Sequence, residues 1–188
     1  MFHFLMQLDG NLLIWIQSVL INDILTPFFI FLTRLGDAGA VWIVLSVILL
    51  FPKRTRRIGI MALIALFGSF IINNIILKNL IARTRPYDVV SGVKLLIERQ
   101  SDFSFPSGHT GSSFAAAIVL YKELPKKYGL PALVLAAFIG LSRMYLGVHY
   151  PFDVMCGALF GSLIGIFVCS GFKLLKENRK LQFLEKIM

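Results

Sequence analysis

A chain of 188 residues that is 57% hydrophobic, only 15% charged and has a mean hydropathy of +0.78 is not a soluble globular domain, where about a quarter of the residues carry charge. Its length suits one compact bundle over residues 1–188 and leaves no room for a second domain. The net charge of +9 would suggest nucleic acid in a soluble protein. Here the basic residues gather at the ends of apolar segments, the pattern of membrane anchoring plus an anion site, so no nucleic-acid partner is expected.

Taken in chain order, residues 1–36 form either an interfacial hairpin or a first transmembrane helix. No Lys or Arg precedes Arg34, and a crossing over 12–33 would carry Asn22 and Asp23 to mid-bilayer, a costly place for them. Two short helices near 11–20 and 24–33 are favoured over that crossing. The N-terminus lacks a basic n-region and a small-residue cleavage site, so no cleavable signal peptide is expected. Gly36 and Gly39 suit a tight break before the next segment.

A catalytic helical core is expected over 38–172. Five apolar segments near 38–52, 57–77, 107–122, 129–147 and 152–172 approach the roughly 17–25 helical residues that cross a bilayer. The first and third are short. Pro52, Pro86, Pro125, Pro131 and Pro151 fall at or near the predicted boundaries. The fold class is thus an all-α, polytopic membrane bundle of five to six transmembrane helices. The loop 87–105, with Val89, Val93, Leu95, Leu96 and Ile97, reads as a membrane-dipping element beside the site. Cys156 and Cys169 lie in one apolar stretch without metal-ligand spacing and read as packing residues.

Orientation follows from charge. Lys53, Arg54, Arg56 and Arg57 share one loop; Lys122, Lys126 and Lys127 share another; Lys173, Lys176, Arg179, Lys180 and Lys186 lie in the tail 173–188. Five crossings bring all three clusters to one side, which the positive-inside rule makes cytoplasmic. Three polar motifs then fall together on the external face.

These motifs are Lys78-x6-Arg85-Pro86, Pro106-Ser107-Gly108-His109 and Ser142-Arg143-x5-His149-x3-Asp153. Phosphate esters resist attack because their oxygens repel nucleophiles, so catalysis needs cations to neutralise those oxygens. Arg85 and Arg143 offer forked hydrogen bonds, and Lys78 offers a compact charge. Lys78 and Arg85, seven apart, would share a helix face if that helix continued, although Pro86 stops it just beyond. Arg83 is equally basic but reads as a snorkelling or loop-contact residue. Ser107 and Gly108 open a helix whose free N–H groups bind anions, and Gly108 lets the main chain approach closely. His109 then points at the bound group, where it can protonate a departing oxygen. Asp153, four residues after His149 across a helix start at Pro151, can fix one ring nitrogen and leave the other as nucleophile.

In these three motifs, over roughly residues 78–153, the chain resembles the type 2 phosphatidic acid phosphatase superfamily of lipid phosphate phosphatases. Soluble relatives of that family include bacterial acid phosphatases and vanadium haloperoxidases, so the resemblance implies a core of that kind. It also implies roles: His149 as nucleophile, Asp153 as its orienting partner, His109 as acid, and Lys78, Arg85, Ser107, Gly108 and Arg143 as the phosphate cradle. The family needs no divalent metal or other cofactor, and the sequence offers no carboxylate cluster to hold one. The implied partner is a membrane lipid substrate, and the implied location is the plasma membrane. Undecaprenyl diphosphate is the first expectation; phosphatidylglycerophosphate and phosphatidic acid are alternatives. A non-catalytic lipid-phosphate binder or translocator would need the cations but not both histidines with Asp153. A haloperoxidase would be soluble.

Overall fold

The computed structural model describes residues 2–185, and side chains over residues 6–178. Every regular element among the described residues is helical. In order these are α1 (Phe2–Leu20), α2 (Leu25–Leu35), a 3-10 turn (Asp37–Gly39), α3 (Ala40–Leu50) and α4 (Arg56–Ser69). A π segment (Phe70–Leu77) then leads directly into α5 (Lys78–Ile81), followed by α6 (Pro86–Val89), α7 (Gly108–Glu123), α8 (Lys126–Tyr145) and α9 (Pro151–Glu185).

The N-terminal helix break falls at Ile21–Ile24, where the side-chain oxygen of Asn22 accepts from the N–H groups of Ile24 and Leu25 and so starts α2. Helix α1 begins well before residue 11, the expected start. Its buried Gln17 is tied to the backbone of Lys94 in both directions and to the carbonyl of Tyr145. Helix α2 bends by 49° into the segment Asp37–Leu50. Ala38 and Gly39 turn through the left-handed region there, with φ of 49° and 72°.

Among the described residues, three stretches are long and apolar enough to cross a membrane: Arg56–Val89, which takes in α4 to α6, Lys126–Tyr145 and Pro151–Asn178. Taken as one broken span, the bent α2–α3 pair adds a fourth. Helix α7, one of the five apolar segments expected to cross, is 16 residues long. It is sheathed by α4, α8 and α9. A helix so enclosed is selected for close packing, and α7 buries Ala115, Ala116 and Ala117 completely. Pro131 also departs from expectation, lying inside α8 rather than at its start, which Pro125 caps. The outward faces carry apolar side chains such as Phe51, Leu80, Leu159 and Phe167, as lipid contact requires.

Helix α9 meets α7 along Gly157, Gly161 and Gly165, spaced one turn apart. A Cβ there would stand 2.6 Å from the Ser107 carbonyl oxygen, 2.2 Å from that of Gly111 and 2.7 Å from that of Ala115. Backbones therefore touch along three turns, which is how helices associate when lipid removes the hydrophobic drive between them. A Gly161→Leu variant should lose about 3 kcal/mol or more through overpacking. The expected readout is a lowered melting temperature and aggregation on size exclusion in detergent; a monodisperse variant with unchanged melting would contradict this packing.

The chain order sorts the polar residues to opposite ends. Helix α4 and the π segment run from the basic turn to Lys78, α7 runs from Gly108 back to Lys122, α8 returns to Arg143, and α9 leaves again from Pro151. At the basic end Arg57 lies over the ring of Phe172, 5.7 Å from its centroid. Arg179, Lys180 and Lys186 of the predicted tail lie outside the residues whose side chains are described.

Candidate active site

The ends of several helices meet around a cavity of about 460 Å³. Lys78, Arg85, Gly108, His109, Arg143 and His149 line it, together with Asp102, Gln100 and Asn74. Of the residues expected from the motifs, Ser107 and Asp153 stand behind this lining. Ser69 and Ser112 also line it, and Ile43, Leu63, Leu66, Phe67 and Phe70 give it an apolar wall between α3 and α4. A second cavity of about 380 Å³ shares Gln100 and Arg143 and is lined by Thr33, Arg34, Asp37 and Glu98.

Lys78 arrives through the π segment, whose extra residue per turn shifts the helix face just before it. Such insertions often mark functional positions. The helix does not continue to Arg85, so the two residues do not share a face. Ala82 turns at φ 47°, and Arg85 is extended ahead of Pro86 at the start of α6. The two cations are brought together by tertiary contacts on Asp102, which pairs with both Lys78 Nζ and Arg85 Nη2. Burial of the Asp102 carboxyl opposes ionisation, but hydrogen bonds and charge from Lys78 and Arg85 outweigh it and hold its pKa at about 2.

Arg85 is fully engaged. Its Nε donates to the Asp102 carbonyl at 2.8 Å, and its Nη1 donates to the Val148 carbonyl at 2.7 Å and stands 3.5 Å from His149 Nε2. Arg143 is held by Thr33 at 2.5 Å and Gln100 at 3.5 Å, while its buried Nε has no protein partner. A buried guanidinium N–H in the wall of a cavity is a ready donor for an anion.

Gly108 has a steric reason at the start of α7: a Cβ would stand 2.4 Å from the side-chain oxygen of Asn74. Ser107 caps the helix. Its Oγ accepts from the Thr110 N–H and from its hydroxyl at 2.9 Å, and its own N–H donates to the Asp153 carbonyl. His109 Nε2 pairs with Asp37 at 2.9 Å across the mouth of the site.

His149 is buried on the loop between α8 and α9, its backbone N–H donating to the Arg143 carbonyl. Its Nδ1 faces Asp153 at 3.5 Å and the hydroxyl of Ser104 at 3.4 Å, so Nε2 is the nitrogen turned toward Arg85 and the cavity. Burial first, then the cations Arg85, Arg143 and Lys78, push the imidazole well below its usual value, which leaves the ring neutral. The tightest partners of Asp153 are Ser104 at 2.5 Å and Arg83 at 2.6 Å rather than His149.

Sequence reasoning missed Asp102, Ser104 and Asp37, and it misread Arg83. Arg83 does not snorkel: it is buried between Asp153 and Asp9. The loop that carries Asp102 and Ser104 is anchored to the bundle. Its Leu96 and Ile97 pack on Phe29, Leu32, Tyr145 and Leu146, and its Leu96 N–H donates to the Leu146 carbonyl. The cysteines are free; Cys169 is buried in the core and Cys156 half-buried.

Chemically, the arrangement offers a neutral imidazole, clustered cations and a second histidine within one cavity. A family model described as the PAP2 superfamily matches residues 57–176. An undecaprenyl-diphosphatase of Sulfolobus acidocaldarius is 35% identical over 140 residues, which cover 74% of this chain and 67% of that protein. Among solved structures, Aquifex aeolicus LpxE superposes with a TM-score of 0.77 at 29% identity, over 85% of this chain and 93% of that one. A PAP2-type phosphatidylglycerolphosphate phosphatase from Bacillus subtilis gives 0.73 at 30% identity, over 90% and 86%. A bacterial vanadium-dependent iodoperoxidase, 20% identical with a TM-score of 0.70 over 86% of this chain and 48% of that one, shares the fold.

Proposed function

This chain belongs to the PAP2 superfamily, and we propose that it is a membrane phosphatase that hydrolyses a lipid phosphate or diphosphate through a phosphohistidine on His149. The observation that carries this reading is the cavity in which His149 Nε2 stands beside the Arg85 guanidinium, with His109 in the same wall. In the first step His149 Nε2 attacks phosphorus, and His109 gives a proton to the departing lipid oxygen. In the second step His109 takes a proton from water, which attacks the phosphohistidine, and inorganic phosphate leaves. Lys78, Arg85, Arg143 and the N–H groups at Gly108 neutralise the phosphoryl oxygens. Ser107 supports the cradle from behind by fixing the start of α7.

Residues 1–188 act as one lipid phosphatase unit in this reading, with 1–36 as an N-terminal interfacial element, 38–172 as the catalytic core and 173–188 as a basic cytoplasmic tail. The site opens on the external face of the plasma membrane, because the basic turns occupy the other end of the bundle. Undecaprenyl diphosphate is the first substrate. The similarity to the Sulfolobus acidocaldarius enzyme supports it, and so does the apolar wall leading away from the cations, which suits a lipid chain. Phosphatidylglycerophosphate is the second, on the similarity to the Bacillus subtilis phosphatase. In this reading the reaction needs no divalent metal.

Phosphate release by the purified protein in detergent with excess EDTA, on undecaprenyl diphosphate, phosphatidylglycerophosphate and phosphatidic acid side by side, tests this reading. Release that survives EDTA is expected, with undecaprenyl diphosphate ranked first. No release from any of the three would overturn the proposed activity.

Vanadate, a phosphate mimic, gives a finer test of the cradle. Asp102 occupies donors of Lys78 and Arg85 that a phosphoryl group needs. Asp102→Asn should therefore tighten vanadate inhibition roughly tenfold, the equivalent of about 1.4 kcal/mol. Weaker inhibition would mean that Asp102 instead holds the cations in place for the ligand.

A further inference from the structure

Behind His149 lies a buried chain of charges that reaches into α1, outside the matched residues 57–176. Arg83 Nη1 donates to Asp153 at 2.6 Å, and its Nη2 donates to Asp9 at 2.7 Å. The guanidinium lies 3.7 Å from the centre of the Tyr150 ring, and the Tyr150 backbone N–H donates to Asp153 at 3.1 Å. Asp9 accepts from the Phe152 N–H at 3.0 Å, so it also grips the first turn of α9, the helix that carries Asp153. The side chains of Asp9 and Arg83 are each 9% exposed and that of Asp153 is fully buried. Neither Arg83 nor Asp9 lines the cavity.

We propose that Asp9 and Arg83 are positioning residues for catalysis: Asp9 holds the Arg83 guanidinium, and Arg83 keeps Asp153 ionised and aimed at His149 Nδ1. The proposal rests on His149 being the nucleophile. A carboxylate buried among apolar helices takes up a proton unless a cation stands beside it. A protonated Asp153 would no longer accept the Nδ1 hydrogen, and Nε2 would lose its role as the free lone pair. When Nε2 bonds to phosphorus, the bond from phosphorus to the leaving oxygen breaks. That oxygen keeps the electron pair and takes a proton from His109. The imidazole, still carrying its Nδ1 hydrogen, becomes positive. Two carboxylates sharing one guanidinium leave a net negative charge behind the ring at that moment, and they hold it in place without reorganisation.

This role predicts a kcat effect rather than a KM effect, because Arg83 does not touch the phosphate. In purified full-length protein acting on undecaprenyl diphosphate, Arg83→Gln should lower kcat roughly 10–100-fold, the range typical of residues that orient a reacting group, with KM within about twofold. Arg83→Lys should recover part of the loss by keeping the charge. Asp9→Asn, which keeps the shape and an acceptor for the Phe152 N–H, should show a smaller kcat loss and serves if Arg83→Gln does not fold. In an Asp153→Asn background the Arg83 and Asp9 substitutions should add less than about threefold further loss, because the group they position is already neutral.

A kcat for Arg83→Gln within about threefold of wild type, a rise in KM at constant kcat, or losses that multiply with Asp153→Asn would each overturn the inference. A wild type inert toward every lipid phosphate removes the phosphatase reading itself, and the inference with it. An active wild type with an indifferent Arg83→Gln variant overturns the inference alone.

Discussion

His149→Ala should reduce phosphate release on the order of 10⁴-fold or more, the scale on which enzymes lose turnover when the group that forms the covalent intermediate is removed. No neighbouring side chain can replace it. Ser104 faces Nδ1 from the far side of the ring, and His109 is engaged with Asp37 at the mouth. Wild-type protein stopped in alkali during turnover should carry labelled phosphate on the chain, and the variant should carry none. The pH profile adds a direction. Burial and three nearby cations lower the His149 pKa well below its usual value, so the protonated, inactive ring appears only in more acidic solution. The acid limb of kcat/KM for this group should therefore lie below pH ~6.5, the ordinary histidine value. Retention of a substantial fraction of activity in His149→Ala would remove the phosphohistidine from the mechanism.

Arg85→Ala should cost about 10³-fold in kcat/KM, near the upper end of what one preorganised donor contributes to transition-state charge. The residue does more than offer charge. It joins the Asp102 backbone and carboxylate, the Val148 carbonyl and the His149 ring. Its removal leaves the Val148 carbonyl beside the nucleophile without that donor and leaves Asp102 to pair with Lys78 alone. Arg85→Lys should recover little, because a lysine ammonium cannot span the Val148 carbonyl and a phosphoryl oxygen at once. Measuring kcat/KM for both variants on the same lipid diphosphate checks this. A lysine variant near wild type would reduce Arg85 to a point charge.

Much of the site was legible in the sequence because its parts sit at helix ends, and helix ends are marked locally. Pro86, Pro106 and Pro151 punctuate the chain, each beside a motif, and the apolar runs between them fix which ends meet. The alternation of basic turns and motif-bearing turns follows from helix length alone. The residues that were missed share another property: their meaning depends on a partner far along the chain. Arg83 resembles Arg85 in sequence, two positions away, yet Arg85 lines the cavity and Arg83 is buried behind His149. The left-handed turn at Ala82 and the extended Arg85 separate them, and neither is announced by residue type. Asp9 did carry a signal. A lone carboxylate in an apolar stretch calls for a partner, but the partner is 74 residues away.

The sequence by itself determined the all-helical membrane class, the sorting of the basic turns and the three polar motifs to opposite ends of the bundle, and the chemical types gathered in those motifs. Composition, helical length and short-range punctuation suffice for these because they are properties of segments. Only the tertiary structure decided that α7 is an enclosed helix, that Asp102 fills the cradle, and that Asp153 is anchored more tightly to Arg83 and Ser104 than to His149. Those outcomes come from glycine-faced helix contacts and from buried charges finding their counter-charges. Such energies are set by distances between segments, and a linear pattern does not encode distances.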